Sequence, residues 1–293
     1  MGTSKAFGGA SGDTPLVMSW LDDANPDGAD SGNEVGGTDD AVQESPGTPP
    51  AAPADQPPVP PPPISHRFRS ARSNFTRFAR SGGSDRHSLV RAVSQYVSQS
   101  TGGSSQAAKR MGSSRSTASR LIGFLGSAST NGIRVALRSL DLESLVERPI
   151  EEVFVGLADY ICPDGGSIDE GIARDAFIKT IADLAGAGIT DVDGMTSEQI
   201  QTVFVLYAAH AIEARICNDI GTKVVMMPTD ITMVEGIEDQ LREFILRGLS
   251  DAVNASDIDI GALLPDQVSN FVDGVYEAAF EMLKLLGESE VEM

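Results

Sequence analysis

The residue best placed to react is the second one. In the opening Met1-Gly2-Thr3-Ser4-Lys5-Ala6-Phe7-Gly8-Gly9, a tiny second residue permits removal of Met1, which exposes the α-amino group of Gly2. Such an amine has a pKa of about 7.7–8.0, so an appreciable fraction is an uncharged nucleophile at cellular pH. It would sit on a slender, unhindered segment able to enter a narrow enzyme pocket, with Thr3, Ser4 and Phe7 the first side chains to be gripped. Exposure of Gly8 or Gly9 by processing is the alternative. N-myristoylation calls for Ser or Thr at position six, and this chain has Ala6.

The other reactive side chains form no recognisable set. His66 and His87 lie in a basic stretch, while His210 follows Tyr207 by one turn of a helix and reads as a core or boundary histidine. Cys162 and Cys217 match no zinc spacing and cannot build a disulfide framework. Both lie among apolar residues, where a free thiol behaves as a small hydrophobe. Gly8-Gly9-Ala10-Ser11-Gly12 has no strand before it, no helix after it and no lysine, so it fails as a phosphate cradle. Asp191-Val192-Asp193-Gly194 starts like a calcium loop but lacks the third ligand and the glutamate at position twelve, and reads as a turn. No Ser/His/Asp set, HExxH or Walker loop is present. The expectation is a protein without catalytic residues, metal or cofactor.

Binding chemistry is easier to find. Residues 66–80, HRFRSARSNFTRFAR, place Phe68, Ala71, Phe75 and Phe78 on one helical stripe, surrounded by Arg67, Arg69, Arg72, Arg77 and Arg80. Arginines interleaved with aromatics suit nucleic acid, through phosphate charge and base stacking. They suit an acidic protein surface equally well. A second candidate is the island Thr14-Pro15-Leu16-Val17-Met18-Ser19-Trp20-Leu21, which holds the single Trp of the chain. Leu16, Val17, Trp20 and Leu21 form an apolar anchor that either docks on a partner or packs back on its own chain.

The elements that carry these residues divide by charge. Residues 1–64 hold one basic and ten acidic residues, and 65–140 hold thirteen Lys/Arg against Asp85 alone. Residues 141–293 hold eight basic and thirty-one acidic residues, within a chain of 293 residues and net charge −20. Such blocks mark different partners or segments that attract each other. The first block is too polar to offset the cost of ordering its backbone, and reads as a disordered Pro/Gly-rich tail. Its nine prolines between Pro49 and Pro63 form a polyproline spacer of about 46 Å. The second block is a conditionally helical basic region. Its stripes include Leu89, Val93, Tyr96 and Val97, then Leu121, Ile122, Phe124 and Leu125, with breaks at Gly82-Gly83 and Gly102-Gly103.

From 141 the punctuation becomes regular. Pro149 opens a helix with Ile150, Val153, Phe154, Leu157 and Ile161 inside. Ser167 with Glu170 is a capping box for a helix burying Ile168, Ile172, Phe177, Ile181 and Leu184. Thr196 with Gln199 is another, leading to Ile200, Val203, Phe204, Tyr207, Ala211 and Ala214 and closing at Gly221. Pro228-Thr229-Asp230 starts a helix with Ile237, Leu241, Phe244, Ile245 and Leu249 inward. The last runs from Pro265 through Val268, Phe271, Val275, Met282 and Leu285 to Gly287. Lys223 to Met227 could make a short strand. The expected fold class is all-α: an acidic helical bundle over 141–287 behind the tail and the basic region, with 288–293 disordered. No stretch approaches the roughly 18 apolar residues of a membrane span, and no secretory signal opens the chain, so the reading is cytosolic.

The opening MGTSKAFGG, then Gly12, the Thr14-Pro15-Leu16-Val17 and Trp20-Leu21 patch and the Pro-rich spacer resemble the QatB family, the B components of bacterial Qat anti-phage defence systems. The specific likeness covers about the first 21 residues. The resemblance implies partners from one operon: an ATPase (QatA), a QueC-like enzyme (QatC) and a TatD-like nuclease (QatD). QueC enzymes use ATP to turn a deazaguanine carboxylate into a nitrile, and QueC-like defence proteins direct that activated carboxylate onto an N-terminal glycine. Carried over to this chain, Gly2 is the acceptor and Thr3 to Gly9 the threaded segment. The competing expectation is a nucleic-acid adaptor that uses Arg67–Arg120 to recruit a nuclease.

Overall fold

The computed structural model describes residues 67–162, 166–184, 186–221 and 230–289, all within one compact unit spanning Val59–Met293. The tail calls at Gly2, Thr3, Ser4, Phe7, Gly8, Gly9, Leu16, Val17, Trp20 and Leu21 lie outside the described residues, as does the Lys223–Met227 strand.

Ten α-helices and no strand occur among the described residues. In chain order they are α1 Arg69–Arg80, α2 Arg86–Gln95, α3 Ser104–Lys109, α4 Gly112–Asn131 and α5 Ile133–Arg138. There follow α6 Ile150–Ile161, α7 Ile168–Leu184, α8 Ser197–Ile220, α9 Ile231–Ser256 and α10 Pro265–Ser289. A π-helical turn, Tyr96–Thr101, extends α2.

The capping signals act as their residue types dictate. Thr196 Oγ1 accepts from Gln199 N at 3.2 Å while Gln199 Oε1 accepts from Thr196 N at 2.9 Å, satisfying two donors a helix start leaves orphaned. Ser167 and Glu170 make the same exchange at 3.3 and 2.8 Å. The Asp191 turn is closed by its own carboxylate, which accepts from Asp193 N at 2.9 Å, and Asp193 then caps Ile133 N at 3.1 Å across the fold. Gly82, Gly83, Gly102 and Gly103 all take positive φ, a region in which side chains other than glycine are strained.

The central element is α8. Its buried residues run right around the helix, from Ile200, Phe204 and Tyr207 to Ala209, Ile212 and Ile216, which is the pattern of a helix covered on all sides. It packs against α4, α7 and α9, and α10 closes the assembly by joining α9 to α2, α3 and α4.

The boundary drawn at residue 140 is a change of charge, not of core. Phe75, Phe78, Val93, Tyr96, Leu121 and Leu125 from the basic side share one hydrophobic cluster with Phe154, Phe204, Tyr276 and Phe280 from the acidic side. Each stripe of 65–140 is too narrow to be stable alone, and the surface it needs is supplied by α8, α9 and α10 of the same chain. Smaller corrections follow from periodicity at helix ends. Ile168 on α7 is exposed and Ala214 on α8 half-buried; on α10 Leu285 is exposed and Met282 half-buried, because Val272, Tyr276, Ala279 and Leu283 turn inward there instead. Gly287 does not end α10. A Cβ there would run into Ser94 and come within 3.0 Å of Val90 O, so glycine is what lets α10 lie against α2. The helix continues through Ser289, past the expected start of disorder at 288.

Candidate functional site

The polar chemistry of the described residues concentrates where the basic and acidic halves meet. Asp219 stands in the last turn of α8, where a carboxylate opposes the helix dipole, and cations are gathered around it. Its Oδ2 accepts from Arg110 Nη2 at 2.8 Å and from Tyr96 Oη at 2.9 Å, with Arg215 Nε at 3.7 Å. Arg72 donates to the free carbonyl of Ile220, one of the acceptors that a helix end leaves without a partner. Arg215 in turn donates to Arg110 O at 2.7 Å and lies 3.3 Å from Asp169 Oδ1. Asp169 completes the chain of pairs by accepting from Ser113 N at 2.9 Å, at the start of α4.

Aromatic faces wall this seam. The Phe68 ring stacks on Tyr96 at 5.9 Å between centroids, and the guanidinium carbons of Arg72 and Arg110 stand 6.0 and 5.9 Å from the Phe68 centre, within cation–π range. Burial and the neighbouring Asp219 charge push the Tyr96 phenol well above its ordinary range. The group is held protonated as a donor and is no base. Further along, Arg115 Nη1 pairs with Asp273 Oδ1 at 2.6 Å, and Arg120 donates to Ile161 O at 3.3 Å.

A second polar cluster lies on another side of α8. His210 is buried, with Nε2 2.7 Å from Asp183 Oδ2 and Nδ1 3.8 Å from Glu213 Oε2. Arg242 Nε donates to Glu213 at 2.9 Å. Burial would raise the Glu213 carboxyl, but His210 and Arg242 outweigh it and hold the group below the usual glutamate range. The thiols are quiet: burial pushes Cys162 up to about 11 and Cys217 up to about 12, far from the thiolate needed for reaction.

The expected Arg/Phe binding set is split by the fold. Phe75 and Phe78 are 3% and 0% exposed and point into the core, so neither is available for a base to stack on. Arg72 is spent on the end of α8. Arg67, Arg69, Arg77 and Arg80 remain on the outer surface. The residues that sequence reasoning missed are Asp219, Asp169, Tyr96, Arg110 and Arg215. One signal could have found Asp219 and Arg215: an aspartate at the wrong end of a long helix, four residues after an arginine, demands a further cation from elsewhere.

No helix among the described residues is long and apolar enough to cross a membrane. Nor do His, Cys, Asp and Glu gather there in a metal-holding group. A family model described as Qat anti-phage system associated protein QatB matches residues 102–283. No curated protein and no solved structure matches the chain. The family match opens at the Gly102-Gly103 break, so α1 and α2 lie ahead of it.

Proposed function

The chain belongs to the QatB family and is a component of an anti-phage defence system, and from that premise we propose that it acts there as a non-catalytic substrate and scaffold. The QueC-like partner of the same system, QatC, takes the N-terminal glycine as its acceptor. The carrying observation is the opening MGTSKAFGG, in which removal of Met1 leaves the amine of Gly2, the smallest residue, ahead of Leu16 and Trp20 in the sequence. The chemistry balances simply. ATP activates a deazapurine carboxylate as an acyl adenylate with loss of pyrophosphate. The neutral Gly2 amine attacks the acyl carbon, AMP leaves with the bond electrons, and the amine gives up a proton as the amide forms. The helical body supports the scaffold half of the reading, since its partly buried carboxylates and arginines join helices to one another. QatA and QatD are the further partners that family membership suggests.

Intact mass of the chain co-expressed with the QueC-like partner tests the modification. A single acyl adduct on the N-terminal peptide is expected with ATP and the deazapurine precursor present. An unmodified N-terminus under those conditions overturns it. Trp20→Ala should weaken co-purification of the partner, and equal recovery counts against the anchor.

A further inference from the structure

The arginines of the described residues fall into two populations. Arg110, Arg115, Arg134, Arg138, Arg148, Arg174, Arg215, Arg242 and Arg247 each pair with a carboxylate. Arg86 faces Glu243, Arg72 and Arg120 hold helix-end carbonyls, and Arg80 is engaged as well. Arg67, Arg69, Arg77 and Arg91 make no hydrogen bond or close ion pair with any described residue. All four belong to the α1–α2 hairpin or its first turn. A chain with 42 acidic and 22 basic residues has carboxylates in excess, so three exposed guanidinium groups and the half-buried Arg91, all without a close carboxylate, set this face apart among the described residues.

We propose that the outer face of the α1–α2 hairpin is a docking surface for double-stranded nucleic acid, held through the phosphate backbone without base contacts. Three observations select that occupant. First, the stripe facing away from the core on α1 is Arg69, Ser73, Arg77 and Arg80, flanked by exposed Ser70 and half-buried Thr76. Guanidinium forks and hydroxyls are the donors that phosphate oxygens take, and the hairpin uses no lysine at all. Second, Arg69 and Arg77 are separated by about 12 Å along the axis, at 1.5 Å per residue. Arg91 and His87 extend the array onto the neighbouring helix, about 8–10 Å away. Arg77 and His87 both lie close enough to Asp85 to act on its carboxyl. That makes a two-dimensional array, suited to the two strands of a duplex. Third, the aromatic residues that would hold a single strand by stacking are turned inward: Phe68, Phe75 and Phe78 are 7%, 3% and 0% exposed.

The single acid of the hairpin does not spoil the surface. Asp85 accepts from Ser88 N at 3.1 Å and Ser88 Oγ at 2.7 Å, so its charge is directed into the start of α2. The strongly acidic remainder of the chain repels a duplex at long range, but exposed charges are screened beyond about 8 Å at physiological salt. Local contact therefore decides, and the acidic surroundings leave this hairpin as the approachable face.

The test is fluorescence anisotropy of the full chain with a labelled mixed-sequence duplex of 20 base pairs, across a salt titration. With about four phosphates neutralised, the expected slope of log K against log salt is about −3.6, a loss of roughly a hundredfold between 50 and 200 mM. Two duplexes of unrelated sequence should bind alike. Arg69→Ala alone should shrink the slope by about 1, and the triple variant Arg69→Ala, Arg77→Ala, Arg91→Ala should bind at least tenfold more weakly with its melting temperature kept. Unchanged binding by the triple variant overturns the proposal. So does equal affinity for polyglutamate, which would make this an acidic-protein surface. Tighter binding of the corresponding single strand overturns it too.

Discussion

The seam around Asp219 and the outer face of the α1–α2 hairpin are made from the same residue type in the same basic stretch, and they have opposite fates. At the seam, Arg110 and Arg215 are drawn partly out of water and paired with Asp219 and Asp169. On the outer face, Arg69 and Arg77 are exposed and make no hydrogen bond or close ion pair with any described residue. A net charge of the segment cannot separate these cases. Partner accounting can, because a buried guanidinium needs acceptors within the protein, whereas an exposed one is satisfied by water and stays available to a ligand from outside the chain.

Breaking the seam should cost the most. Asp219→Ala leaves Arg110 and Tyr96 without their shared acceptor and Arg215 without a neighbouring charge, and loss of one partner from a buried pair costs about 3–5 kcal/mol. Arg110 keeps some access to water, with a side chain 33% exposed, so the low end, about 3 kcal/mol, is expected from urea unfolding. A loss below about 0.5 kcal/mol would mean that the seam is a surface ion pair and the two regions do not differ as argued.

A paired arginine on another side of α8 sharpens the comparison through pH. Glu213, matched by Arg242, has its carboxyl lowered in the folded state. Its contribution is therefore complete above the ordinary glutamate range and fades as pH falls through the lowered value. Glu213→Gln should cost on the order of 2 kcal/mol at neutral pH, as expected for hydrogen bonds to a charged group. The penalty should shrink on acidification, seen as a flatter acid limb in denaturation midpoints. A penalty that stays constant down to about pH 3 would show that the pair contributes by shape alone. Tyr96→Phe is a milder cut at the seam. It removes one hydrogen bond to Asp219 and keeps the ring against Phe68, for an expected loss of about 1.5 kcal/mol.

Much of the fold was legible because helices advertise their ends and stripes locally. The Thr196/Gln199 and Ser167/Glu170 boxes, the glycine pairs at 82–83 and 102–103, and the stripes of α6 and α9 all stand where spacing puts them. The pairing of α2 with α10 was not legible, since it depends on contacts nearly two hundred residues apart, such as Gly287 against Val90 and Ser94. The same separation hid the seam: Arg110 and Asp219 have no relation in sequence beyond opposite charge. On the Arg/Phe segment, spacing gave the stripe correctly but not its direction of use, because a stripe that binds bases and a stripe that enters a core look identical in one dimension.

The smallest effect on stability is expected where the largest effect on binding is. Arg69→Ala, Arg77→Ala and Arg91→Ala together remove three charges but no described hydrogen bond or close ion pair, so unfolding free energy should change by no more than about 0.5 kcal/mol per site. Relief of like-charge repulsion between neighbouring turns would push the change toward stabilisation. The measurement is the urea midpoint of the triple variant beside that of Asp219→Ala. If the outer arginines proved as costly to remove as Asp219, they would be structural after all, and the division of this basic segment into a paired interior and an unpaired face would fail. If their removal leaves stability intact, the charge of this face carries no structural role, as a surface free to hold an external anion requires.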